Sequence, residues 1–276
     1  MPTVDSQGLS IHYEESGSGP PIILGHSFLC SGDMWAPQLP ALSERFRVIN
    51  VDCRGHGRSS RVERRCTLYD LVADQLAVLD HLGIERAVWA GLSIGGMVAL
   101  RAALTARERV AALILLDTHA GSERLPKRLK YRLMALAVSA FGTRPLLPPI
   151  VSLMFGKTTL ASKRDLVAEW KERFAAVDVA STLRVLTALS TRDSVVDRLG
   201  EIQVPALVIV GSEDRSLPPP CSRQIVAGLP AAELLEVAGA GHLSTLEQPQ
   251  EVTGAMLDFL LSLSAATPFS EGTSTS

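Results

Sequence analysis

The chain has 276 residues, 46% of them apolar and 20% charged, with a formal net charge of −2 from 27 Lys and Arg against 29 Asp and Glu. That length gives one large domain or a core with an insert, and folding at this size buries roughly three quarters of the unfolded surface. The balance of charge excludes a general nucleic-acid binder, which would carry a basic footprint.

No apolar run reaches the roughly 18 residues of a membrane span. The greasiest stretch, Leu133 to Phe155, is interrupted by Arg144, Pro145, Pro148 and Pro149, so no membrane partner is expected. The N-terminus has neither the basic nor the apolar region of a signal peptide. Cys30, Cys53, Cys66 and Cys221 are too sparse for a disulfide scaffold and lack zinc spacing. They read as reduced thiols of a cytoplasmic protein. No metal is expected, since no Cys/His cluster has ligand spacing, and no cofactor, since no GxGxxG opens a helix after the first strands.

In chain order, the first 25 residues read as strands, with Leu9–Tyr13 after a Gln7-Gly8 turn and a buried run at Ile22–Leu24. Further apolar strands are expected at Val48–Val51, Ala87–Ala90, Ala111–Leu116, Ala206–Val210 and Leu234–Val237. Helices lie between most of them. Over Leu68–Leu82, apolar residues recur at helical spacing, with Thr67 and Asp70 placed as a capping box. Another helix follows Ser93, and the last begins near Pro249. Strands alternating with helices give βαβ units, hence a mostly parallel sheet covered on both faces.

His119 to Gly200 breaks the rhythm. It is helical in pattern and holds 14 Lys and Arg against 7 Asp and Glu, a charge of +7, while the remainder holds 13 against 22, or −9. A structureless loop of that length would be exceptional. The reading is a core of residues 1–118 and 201–265, a helical cap at 119–200 and a disordered tail at 266–276. Apolar cap residues such as Met134, Val138, Ile150, Val151, Met154 and Phe155 could roof a pocket; packing onto the core is the preferred reading for most. The basic surplus could attract a carboxylate-bearing substrate, but a solvated face is preferred, with Lys127, Arg128, Lys130 and Arg132 in water. His119 and Trp35 read as packing residues.

The chemistry concentrates in Gly91-Leu92-Ser93-Ile94-Gly95-Gly96, which follows one strand and opens a helix. That is the context of a nucleophile elbow, whose small residues two before and two after the serine let the turn close. A serine hydroxyl needs a base, and the base an orienting acid. Asp214 and His242 each follow the carboxyl end of a strand, in the order serine, acid, base, at the edge where ligands bind in such sheets. Glu213 and Asp117 are rival acids. Two backbone N–H groups must receive the developing oxyanion. Ile94, after the nucleophile, supplies one, and Phe28, in the loop after Ile22–Leu24, the other.

These residues identify a resemblance. The chain resembles, over nearly its whole length, α/β-hydrolases of the Ser-Asp-His type with a helical cap, which implies an eight-stranded, mostly parallel sheet. Asp52-Cys-Arg-Gly-His-Gly-Arg-Ser59, Val204–Asp214 and Gly239–Pro249 match the loop after the family's fourth strand, its acid strand and its histidine loop. Gly91–Met97 and Asp80–Glu85 look like the 3-oxoadipate enol-lactonase branch, as does Ser27 in place of the family's usual glycine, although His26 stands where that branch tends to carry Asn. The resemblance implies acyl chemistry on small esters or lactones. Its branches also include carbon–carbon bond hydrolases, perhydrolases and hormone-type receptors.

Overall fold

The computed structural model describes residues 2–266. In chain order it forms β1 (Thr3–Ser6), β2 (Leu9–Ser16), β3 (Pro21–Gly25), α1 (Leu39–Ser43), β4 (Arg47–Val51), α2 (Leu68–His81), β5 (Ala87–Leu92), α3 (Ile94–Thr105) and β6 (Val110–Leu116). Five helices follow without a strand: α4 (Leu125–Phe141), α5 (Leu147–Met154), α6 (Lys157–Ser162), α7 (Arg164–Ala175) and α8 (Val179–Ser190). The chain then completes its sheet with β7 (Ala206–Gly211), α9 (Pro219–Gly228) and β8 (Ala232–Val237), and ends on α10 (Ser244–Glu247) and α11 (Pro249–Ala266).

The eight strands lie in the order β1-β2-β4-β3-β5-β6-β7-β8. β2 pairs antiparallel with β1 and β4, and every pairing from β4 to β8 is parallel. The central strands are apolar on both faces because helices cover both. Alternation divides them: Ile23, Trp89, Leu113 and Val208 join one buried cluster, while Ile22, Val88, Ile114 and Leu207 join the other.

The predicted helix over 68–82 is observed as Leu68–His81, with the Thr67–Asp70 capping box formed in both directions. Neither β1, with one buried residue of four, nor the short α1 carries a periodic signal of its own. β8 starts two residues before its predicted position, because Glu233 and Glu236 interrupt the apolar run of an edge strand. Ala266, expected to open the tail, ends α11; the rest of that expectation lies outside the described residues. Among the described residues, no helix is long and apolar enough to cross a membrane.

Candidate active site

The strand order sets the site. From β3 the chain moves outward to β4, then crosses back to β5 on the other side of β3. The carboxyl ends of β3 and β5 are therefore adjacent, with the connections leaving in opposite directions, which is where an open α/β sheet presents its crevice. Gly25 and Gly91 are register partners at that edge. α3 settles directly onto them. A Cβ on Gly91 would lie 2.2 Å from the Gly95 carbonyl carbon, and a Cβ on Gly95 would lie 2.2 Å from the Gly25 oxygen. Backbone can approach backbone this closely only without side chains.

Ser93 stands in that crowded turn at φ 57°, ψ −112°, a conformation non-glycine residues rarely hold. Its N–H donates to the Leu116 carbonyl at 2.8 Å, and its carbonyl accepts from the Thr118 hydroxyl at 2.6 Å and from the Met97 N–H. The strain is thus held by bonds to the end of the neighbouring strand and to α3. Ile94 is the first residue of α3, so its N–H has no acceptor within the helix.

The structure brings the three separated residues together. His242 Nε2 lies 3.0 Å from Ser93 Oγ, and His242 Nδ1 lies 2.8 Å from Asp214 Oδ2. The other Asp214 oxygen accepts the N–H groups of Ser216 and Leu217 at 2.7 and 2.9 Å, so the carboxylate has one oxygen fixed by backbone and one left for the imidazole. All three residues are buried. Burial pulls the His242 imidazolium down, but the charge and hydrogen bond of Asp214 outweigh it and hold His242 above the ordinary histidine value.

Neither rival acid takes that place. Glu213 turns away and accepts the Thr158 N–H and hydroxyl at 2.8 Å each. Asp117 ends at the same edge, but one of its oxygens accepts the Gly211 N–H at 2.8 Å and the other meets the Ser244 hydroxyl. Burial, then the neighbouring Asp214 charge, raises the Asp117 carboxyl well above the usual range.

The loop after β3 is built by histidines. His26 Nδ1–H donates to the Ser27 carbonyl at 2.7 Å and Nε2 accepts the Cys53 N–H at 2.9 Å, so a neutral ring ties this loop to the one after β4. Burial lowers its basicity and that of His56, which is pushed down to about 3. The Phe28 ring meets His56 edge-on at 5.7 Å. Ser27 O accepts the Cys30 N–H, closing a turn with Leu29 at φ 67°, and the Ser27 N–H points to the Met34 sulfur at 3.1 Å. Cys30 and Cys53 are buried, with thiols pushed up by desolvation, so neither is a ready nucleophile.

Ser93 and His242 open onto a cavity of about 930 Å³ of empty space, partly continuous with solvent. Its far walls come from the helices between β6 and β7: Met134 and Val138 on α4, Ile150 and Met154 on α5, Leu183 and Leu186 on α8. Among the described residues, no Lys, Arg, Asp or Glu lines it. The packing reading preferred for the apolar residues of this segment is therefore corrected for these positions on α4 and α5. Val151 and Phe155 do pack inward, while Leu133, Leu136 and Phe141 are exposed. Lys127, expected in water, donates to the Ser216 carbonyl at 3.1 Å. Trp35 is buried in packing, and His119 lies against Arg192, outside the cavity wall.

One positioning residue escaped the sequence reading. Glu247 is fully buried in the histidine loop. It accepts the Leu243 N–H at 3.1 Å and, across to the helical segment, the Gly156 N–H at 2.8 Å. Its only sequence signal is membership of the Gly239–Pro249 stretch.

The chain belongs to the α/β-hydrolase fold family, whose model matches residues 20–249, and falls in the branch that includes esterases and enol-lactonases. It is similar in structure to an esterase from Thermogutta terrifontis, with a TM-score of 0.90 at 27% identity, covering 95% of this chain and 98% of that one. An enol-lactonase from Burkholderia xenovorans LB400 gives 0.88 at 28%, covering 94% and 100%. A curated relative, the dihydrolipoyllysine-residue acetyltransferase component of the acetoin cleaving system of Pseudomonas putida, is 36% identical over 248 residues, or 88% of this chain. The chain spans 64% of that protein's length.

Proposed function

We propose that the protein is a serine carboxylic-ester hydrolase acting on small uncharged esters. Ser93 is the nucleophile, His242 the base, Asp214 the acid that orients it, and the Phe28 and Ile94 N–H groups receive the oxyanion. Residues 119–200 act as the cap that walls the acyl pocket. The observation that carries this reading is the hydrogen-bonded chain Asp214–His242–Ser93 ending in an apolar cavity. His242 takes the hydroxyl proton as Ser93 attacks the carbonyl carbon, and returns it to the departing alcohol. Water, deprotonated by His242, then attacks the acyl-enzyme and frees the acid. The Ser27 N–H is directed to Met34, which supports Phe28 as the second donor. The four cysteines are free, in keeping with a cytoplasmic protein.

A second reading, a lactonase, uses the same groups. The uncharged lining favours a lactone bearing an apolar acyl arm over 3-oxoadipate enol-lactone, whose carboxylate would enter without a cation to receive it.

The test is initial hydrolysis of p-nitrophenyl esters of rising acyl length, beside lactones with and without a carboxylate, by wild type and Ser93→Ala. Ester turnover that falls by about 10⁴-fold or more in the variant is expected. Equal rates in the two proteins would overturn the mechanism, and lactone rates far above ester rates would move the second reading ahead.

A further inference from the structure

Helix α4 is apolar on two opposite faces. Its inner face carries Tyr131, Met134, Ala135 and Val138, which line the cavity. Its outer face carries Leu125, Leu129, Leu133, Leu136 and Ala140, spaced by four, four, three and four residues, so that they stack in one stripe along the helix. The four leucines are between 58% and 76% exposed. An isolated exposed leucine is ordinary, whereas a continuous row of four along one helix marks an interaction surface.

The charges beside the stripe identify the occupant. By helical position, Arg128 and Arg132 flank it on one side and Lys130 on the other, all exposed. Leu125–Phe141 contains no Asp or Glu. A second copy of this helix laid against the stripe would bring the basic flanks face to face with no acid of its own to pair them. An anionic phospholipid surface satisfies both halves: the acyl boundary takes the leucines and the headgroups take the cations.

We propose that α4 docks the protein reversibly on anionic lipid surfaces through this outer stripe. The helix then lies in the interface with its opposite face walling the cavity, one helix thickness from the acyl region of the bilayer. The sequence expectation of no membrane partner rested on the absence of a spanning segment, and a helix lying in the interface needs none. The proposal rests on the stripe and its flanks and does not depend on the proposed chemistry of Ser93.

The experiment is co-sedimentation of the full chain with vesicles of phosphatidylcholine alone and of equal parts phosphatidylcholine and phosphatidylglycerol, at low and high salt, with light scattering of the free protein. Three proteins are compared: wild type, Leu129→Gln/Leu133→Gln and Arg128→Gln/Arg132→Gln. These side chains are exposed and outside the cavity wall, so circular dichroism and short-ester hydrolysis should match wild type. Wild type is expected to bind the anionic vesicles and release in high salt. The leucine variant should lose binding, and the arginine variant should weaken it by roughly fivefold per charge removed. Binding unchanged in the leucine variant, or no binding by wild type, overturns the proposal. So does a wild-type dimer that the leucine variant dissociates, since the stripe would then belong to a second copy.

Discussion

At the scale of single residues, two buried groups with displaced proton affinities make opposite predictions. In the proposed mechanism neutral His242 is the base, and the Asp214 charge makes its imidazolium hold a proton more tightly than that of an ordinary histidine. The acid limb of kcat/KM should therefore fall with decreasing pH through a midpoint above about 6.5. Asp214→Asn removes the charge that outweighs burial. It should move that midpoint down and cut the rate by about 10⁴-fold, read from a pH–rate profile. Asp117 differs in kind. Its carboxyl retains in the native state a proton that the unfolded chain releases above about pH 3.9. More protons bound by the native state means that stability falls as pH rises from there toward the native value. Asp117→Asn keeps an acceptor for the Gly211 N–H and a partner for Ser244. It should retain most activity and flatten this slope, as seen in denaturant midpoints across pH; a loss as deep as that of Asp214→Asn would make Asp117 part of the acid.

At the scale of elements, the elbow is a problem in packing a helix onto a strand edge. Because a Cβ at Gly95 would meet the Gly25 carbonyl at 2.2 Å, Gly95→Ala must push α3 off β3. It should cost about 3 kcal/mol by denaturant unfolding, with a fall in kcat as Ser93 moves from His242. The glycines of Gly91–Gly96 were legible in the sequence because they lie within one local motif. Gly25 was not, because its constraint comes from a helix seventy residues away. The same distinction runs through the fold. Strands buried on both faces and helix α2 announced themselves by apolar runs, period and caps. β1 and α1 did not, and β8 showed only its apolar part, because such residues answer to pairing more than to burial. That Ser93, Asp214 and His242 would meet at one sheet edge was readable from their places after strands. The cavity wall was misread on α4 and α5 because a residue facing a pocket and one facing the core have the same composition, and only the packing of α4 against α8 separates them.

At the scale of the molecule, the helical segment between β6 and β7 holds the two loops that carry Asp214 and His242. Lys127 reaches the Ser216 carbonyl while the Ser216 N–H binds Asp214. On the other side, Glu247 binds Gly156 and Leu243 at once, beside His242. Glu247→Ala would strand two buried N–H groups, for a cost of about 2–6 kcal/mol. It should lower kcat more than it raises KM and make the 125–190 region more sensitive to protease. The backbones at this joint also touch: a Cβ at Gly241 would fall 2.1 Å from the Gly156 nitrogen. The segment and the histidine loop are thus cut to one another like two halves of a keyed joint. Chimeras that import this region from a relative to change substrate preference should therefore carry Gly156, Gly241 and Glu247 as one inherited set. A foreign segment grafted without them would arrive with its pocket intact and leave His242 out of line.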